Sequence, residues 1–134
     1  MAIWLNVNIH SGIPIYIQIV EQVQHALDVG VLQPGDYLPP VRELASELTI
    51  APNTIVKAYN ELQHMGLIES RPGRGTIVTA QANALRHEKR VEALYERLHA
   101  VVHDAANMGI DGQEFLAAVQ REIGSAFDKR RELT

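Results

Sequence analysis

The chain contains no cysteine, so it has no disulfide framework, no thiolate metal ligand and no thiol nucleophile, which fits a reducing compartment. It has no excess of positive charge either. Twelve Lys and Arg face 16 Asp and Glu, a net charge of −4, so any binding of nucleic acid must rest on cations gathered locally. Unbroken apolar stretches run only a few residues, and the opening MAIWLNVNIHSG lacks the basic start and long apolar segment of a secretion signal. A cytoplasmic protein with no membrane partner is therefore expected. Internal repeats and low-complexity tracts are missing, as are a Ser/His/Asp arrangement on a recognisable elbow and a glycine-rich dinucleotide fingerprint. No enzymatic activity, no catalytic residue and no cofactor are expected. What is present is a 134-residue chain with 46% apolar residues, enough for one ordinary domain or a small domain with an appendage.

Composition changes near residue 80. Before it, Gly, Pro and β-branched residues punctuate short elements, whereas residues 82–132 contain no proline and read as two helices. The expected domains are therefore 1–80 and 81–134. Residues 3–9 alternate apolar and polar like a short strand or extended arm. From Pro14 to Gly30, Tyr16, Ile19, Val20, Val23, Leu27 and, just beyond, Val31 are spaced for one face of a helix. LeuGlnProGlyAsp (32–36) reads as a tight turn, Val41–Leu48 as a second helix, and Pro52–Met65 as a third, closed by Gly66. Leu67–Ser70 and Thr76–Thr79 are strand-like around an ArgProGlyArgGly loop. Three helices with a tight turn before the third, followed by a hairpin, make a winged helix-turn-helix, so the fold class is mostly α with a small β-hairpin wing. The third helix would be the one offered to a DNA major groove.

On that helix, Ile55, Leu62 and Met65 fall on the inward face with Ala58 and Tyr59 beside them, while Asn53, Thr54 and Lys57 gather on the exposed first turns. Asn pairs bidentately with adenine, Thr reaches a base or phosphate, and Lys is a point charge for guanine or the backbone. Free N–H groups of the first turn add an anion site. Such residues also decorate ordinary solvated helix starts, and it is the turn before and the wing after that favour DNA. In Arg71-Pro72-Gly73-Arg74-Gly75, Pro then Gly suits the centre of a type II turn, leaving two arginines on a narrow loop that suits phosphates or a minor groove. Residues 1–80 hold only Arg42, Lys57, Arg71 and Arg74 as basic residues against seven acids, yet all four lie on the second helix, the third helix or the wing.

The second region carries a heptad seam, Ala84, His87, Val91, Leu94, Leu98, Val101, Ala105 and Met108, broken only by His87. Gly109 sits at a C-cap position, and Asp111 with Glu114 has the form of an N-cap and its partner. The last helix would bury Phe115, Leu116, Val119, Ile123 and Phe127. Two such helices need each other and a second copy of the chain to hide their seams, and the dimerisation residues expected are Val91, Leu94, Leu98, Val101, Ala105, Phe115, Val119 and Ile123. His99 and His103 stand four apart on one helix, but no third ligand is fixed, so a solvated face is expected rather than a metal site.

LeuGlnProGlyAsp (32–36), LeuProProValArgGluLeuAla (38–45), ProAsnThrIleValLysAlaTyrAsnGluLeu (52–62) and GlyLeuIleGluSerArgProGlyArgGlyThr (66–76) occur in that order, and through them Pro14–Thr79 resembles the winged domain of GntR-type bacterial transcription regulators. The two helices around MetGlyIleAsp (108–111) look like the short C-terminal module of the YtrA subfamily, and their length leaves no room for the larger sensor or aminotransferase-like domains of other branches. The resemblance implies a homodimeric repressor on a pseudo-palindromic operator, often near its own gene and genes for an ABC-type transporter. It places Arg42 on a base edge or phosphate, Asn53, Thr54 and Lys57 in the major groove, the Tyr59 hydroxyl on a phosphate, and Gly73, Arg74 and Gly75 in the wing contact. These residues name no small-molecule effector. The chain departs from the family at Pro40, where Ser with Glu43 would form a capping box, and at Ala51, where a polar cap is usual. A ligand- or metal-responsive sensor on the same scaffold, and a protein–protein adaptor that has lost DNA binding, are the rival readings.

Overall fold

The structure, a computed structural model, describes residues 4–132, with side chains to residue 128; Ile3, at the start of the expected arm, lies outside the described residues. Its elements run α1 (Ile15–Asp28), α2 (Val41–Leu48), α3 (Pro52–His64), β1 (Ile68–Arg71), β2 (Gly75–Val78), α4 (Ala82–Asn107) and α5 (Gly112–Glu132). The chain divides into two compact units between Arg90 and Val91. That division falls inside α4, beyond the composition change near residue 80.

In the first unit the apolar faces of three short helices meet. Ile19, Val23, Leu44, Ile55, Leu62, Ile68 and Val78 are fully buried, each contributing about 1.5–3 kcal/mol by leaving water. Two expected core positions differ. Val31 lies past the end of α1 and is exposed, Leu32 taking the buried place, and Met65 lies past the last turn of α3 and stays 37% exposed. The arm is not a strand. It is held on α1 by two glutamines one turn apart: Gln22 Oε1 accepts from the Asn6 N–H at 2.7 Å and Gln18 Oε1 from the Asn8 N–H at 2.8 Å. The Gln18 amide donates in return to the Asn8 and Ile13 carbonyls, so a buried side chain supplies the partners that a neighbouring strand would.

The hairpin is antiparallel with Arg71 opposite Gly75 and Ile68 opposite Val78. The Arg74 N–H donates to the Arg71 carbonyl at 2.9 Å, and Gly73 has φ +74°, the conformation that a type II turn requires after proline. Residues 35–38 form a third line along the hairpin that the sequence does not announce. The Leu38 N–H donates to the Thr76 carbonyl and the Val78 N–H to the Asp36 carbonyl, with an isolated bridge between Tyr37 and Ile77. At the hairpin's base, the Thr79 hydroxyl donates to the Gly66 carbonyl at 2.7 Å.

The start of α4 belongs to this unit. Ala82 is buried, and Arg86 grips Asp28 at the end of α1 with two hydrogen bonds of 2.9 Å. Both groups are mostly buried, and the Arg86 guanidinium holds the Asp28 carboxyl below its ordinary value against the opposing effect of burial.

In the second unit α4 ends at a Schellman-type cap, where Ile110 N–H reaches the Ala105 carbonyl, and α5 begins with Asp111 Oδ2 accepting from the Glu114 N–H at 3.2 Å. The seam itself is uncovered. Ala105 is buried and Val91, Phe115 and Val119 are half-buried, but Leu94, Leu98, Val101, Leu116, Ile123 and Phe127 are exposed. Within one chain, α4 and α5 therefore do not bury each other's apolar stripes as a closed hairpin would.

Candidate nucleic-acid interface

The outward face of α3 exists because its inward face is used up. Ile55, Ala58, Tyr59 and Leu62 face the core, which leaves Asn53, Val56, Lys57, Asn60, Glu61 and His64 along the opposite side. These six line one open concavity of about 540 Å³. Of the expected DNA-contacting residues it contains Asn53 and Lys57. Thr54 is half-buried beside it, and Arg42 is exposed on the first turn of α2. Val56, Asn60 and His64 share this face without having been singled out by the motifs; helical spacing from Asn53 is the signal that places them there.

Tyr59 departs from expectation. It is only 5% exposed, and its hydroxyl donates to the Pro39 carbonyl at 2.6 Å, tying α3 to the segment that leads into α2. Burial, and after it the nearby Glu43 charge, push its ionisation far above the ordinary range, so the group is a fixed neutral donor inside the protein. The hydroxyl that the resemblance places on a phosphate has an internal partner in this structure.

The anion site at the start of α3 is narrower than expected. Pro52 has no N–H, the Thr54 N–H donates to the Ala51 carbonyl at 3.0 Å, and Ala51 gives no side-chain cap. Asn53 is then the one residue of the first three whose backbone N–H meets no carbonyl among the described residues. Lys57 is not a loose charge. Its Nζ sits 4.1 Å from the centre of the Tyr16 ring on α1, a cation–π contact worth about 0.5–1 kcal/mol at an exposed site, which favours one direction for this lysine.

On the wing the two arginines differ. Arg71 donates to Glu69 Oε1 at 2.8 and 3.0 Å, an exposed pair of small energy that another anion can displace. Arg74 is exposed at the tip between Gly73 and Gly75 and makes no ion pair among the described residues. Of the metal-type residues, His99 and His103 bring their rings to 4.2 Å, and among the described residues no third ligand joins them. No helix among the described residues is long and apolar enough to cross a membrane.

The profile of the bacterial regulatory proteins of the gntR family matches residues 15–78. The chain is 37% identical over 107 residues, 80% of its own length and 82% of the relative's, to the HTH-type transcriptional repressor YtrA of Bacillus subtilis. Its structure is similar to that of a transcriptional regulator from Oenococcus oeni, with a TM-score of 0.72 and 30% identity over 88% of this chain and 98% of the other. It is also similar to YtrA from Sulfolobus acidocaldarius, described as a GntR-family transcription factor, with a TM-score of 0.57 and 36% identity over 72% of this chain and 98% of that one.

Proposed function

Because the chain belongs to the gntR family of bacterial transcription regulators, which are not enzymes, we propose that it is a homodimeric repressor of a pseudo-palindromic operator. The observation that carries DNA reading is the outward face of α3, mostly polar and, among the described residues, without an internal partner apart from Tyr16 under Lys57. Asn53 and Lys57 meet base edges, Thr54 and Arg42 a base or phosphate, and Arg74 with Gly73 and Gly75 makes the wing contact, while Arg71 joins by exchanging Glu69 for a phosphate. An acidic body then touches DNA through a few cations rather than through overall charge.

The uncovered apolar seam supports the dimer. Val91, Leu94, Leu98, Val101 and Ala105 with Phe115, Val119 and Ile123 meet the same surface of a second copy, so each half of the operator is read by one winged unit, with half-sites one helical turn or a multiple apart. Such a dimer acts in the cytoplasm, on its own operon and on genes for an ABC-type transporter, in line with the family resemblance.

Fluorescence anisotropy tests this with the DNA upstream of the protein's own gene beside a scrambled duplex at several salt concentrations. The expected result is tight binding to the first alone, weakening steeply as salt rises. No binding to either duplex at low salt overturns the reading and leaves the protein–protein adaptor.

A further inference from the structure

Within the outward face of α3 one residue does not fit a polar surface. Val56 is 40% exposed, while its neighbours Ile55, Ala58 and Tyr59 fill the core. It is flanked by Asn53 and Lys57 one turn and one residue away and by Asn60 on the next turn, all lining the same concavity. It is not among the residues of the core cluster or those packed against it, and a β-branched side chain on an exposed helix face is no help to the helix. Its surroundings explain it better as a contact surface than as structure.

Resting on the operator reading above, we infer that Val56 packs against the C5-methyl group of a thymine, and that α3 reads A·T pairs. The major-groove edge of thymine is the one base edge that offers an apolar group, and the adjacent adenine edge takes the bidentate amide that Asn53 and Asn60 both carry. The donors that suit guanine on this face are Lys57, which Tyr16 already engages, and His64 on the last turn of the helix, far from Val56 and Asn53. Glu61 on the same face repels phosphate, so the concavity has little net charge and gains its contacts from base edges rather than from the backbone. Val56 sits one turn into α3, in the part of a recognition helix that meets bases.

The experiment selects tight-binding duplexes from a randomised pool with the full-length protein, then replaces each thymine of one half-site, singly, by deoxyuridine. Wild type should lose about fourfold in affinity at one thymine, the change expected for one buried carbon. The Val56→Ala variant, which keeps a good helix former, should bind the two duplexes within about 1.5-fold, the scatter expected of a contact that is absent. A selected half-site without thymine, no thymine whose methyl matters to wild type, or the same sensitivity in Val56→Ala overturns the inference and leaves operator binding intact. A pool that yields no preferred sequence overturns operator binding and the inference with it.

Discussion

The same kind of residue meets opposite fates on the two sides of Arg90. Before it, Ile19, Val23, Leu44, Ile55 and Leu62 disappear completely into a core built by one chain; after it, Leu94, Leu98, Val101 and Ile123 remain in water. Both sets recur at helical spacing, so periodicity does not separate them. What separates them is the number of surfaces available. Three short helices and a hairpin surround one interior, whereas α4 beyond Arg90 and α5 offer two long stripes and no third element to close over them. An apolar stripe longer than its own chain can cover is complementary to something outside that chain, and a second copy presents the matching stripe by symmetry.

The largest effect should come from breaking that stripe. Leu98→Asp puts a charge into the seam at a residue 47% exposed in the single chain, so it should leave the folding of the first unit alone and abolish the proposed dimer. Operator affinity should fall by about 10²-fold or more once the two winged units no longer bind together. Light scattering beside anisotropy checks both; a variant that is still dimeric refutes the seam.

The next effect lies where α4 is anchored. Arg86→Met keeps the aliphatic stem and removes the guanidinium from Asp28, costing about 2 kcal/mol of thermal or denaturant stability for a charge-assisted pair that is mostly buried. The pH dependence follows from the lowered Asp28 ionisation. A carboxyl with a folded-state value below its unfolded value of 3.8 contributes fully above that value, and its contribution disappears as pH falls through the folded one. Wild type should therefore lose stability below about pH 4 more steeply than Arg86→Met does. Parallel acid limbs in the two proteins would show that the pair adds nothing.

Tyr59→Phe sharpens the comparison inside the first unit between side chains that serve the fold and those that face out. It leaves the Pro39 carbonyl without its donor and should cost about 1 kcal/mol of stability. Because the hydroxyl points to the protein, the slope of operator affinity against salt should not change, while Arg74→Ala should lower that slope by about one. A shallower slope in Tyr59→Phe would return the hydroxyl to a phosphate.

These cases show which parts of the molecule are legible in the sequence. The wing turn reads directly because Pro72 and Gly73 each fix a backbone angle locally, and the α5 cap reads directly because Asp111 and Glu114 lie within one turn. Partners far apart in the chain leave no local mark. Asp28 and Arg86 are 58 residues apart, Gln22 and Asn6 are 16 apart, and the pairing of residues 35–38 with β2 is hidden behind a turn that reads as complete at Asp36. Tyr59 and Val56 show how angle on the helix outweighs side-chain chemistry. A tyrosine suggests a polar tip and a valine suggests core, yet the wheel that buries Ile55 and Leu62 also turns Tyr59 inward and Val56 outward.

The smallest expected effect concerns the start of α3, where family resemblance and structure agree that a cap is missing. Ala51 has extended backbone angles, the conformation of an N-cap residue, but it offers no side-chain acceptor, and the Asn53 N–H meets no carbonyl among the described residues. Serine at this position needs no change of backbone, and its hydroxyl lies within reach of the N–H groups of the second and third helical residues. Ala51→Ser should raise stability by about 0.5–1 kcal/mol, read as a higher denaturation midpoint at unchanged cooperativity. Its effect on DNA distinguishes two uses of that N–H. If the group binds a phosphate, the new cap competes for it and operator affinity falls while stability rises; if it serves only the helix, affinity holds or improves. The outward face of α3, free of acids before Glu61, favours the first outcome.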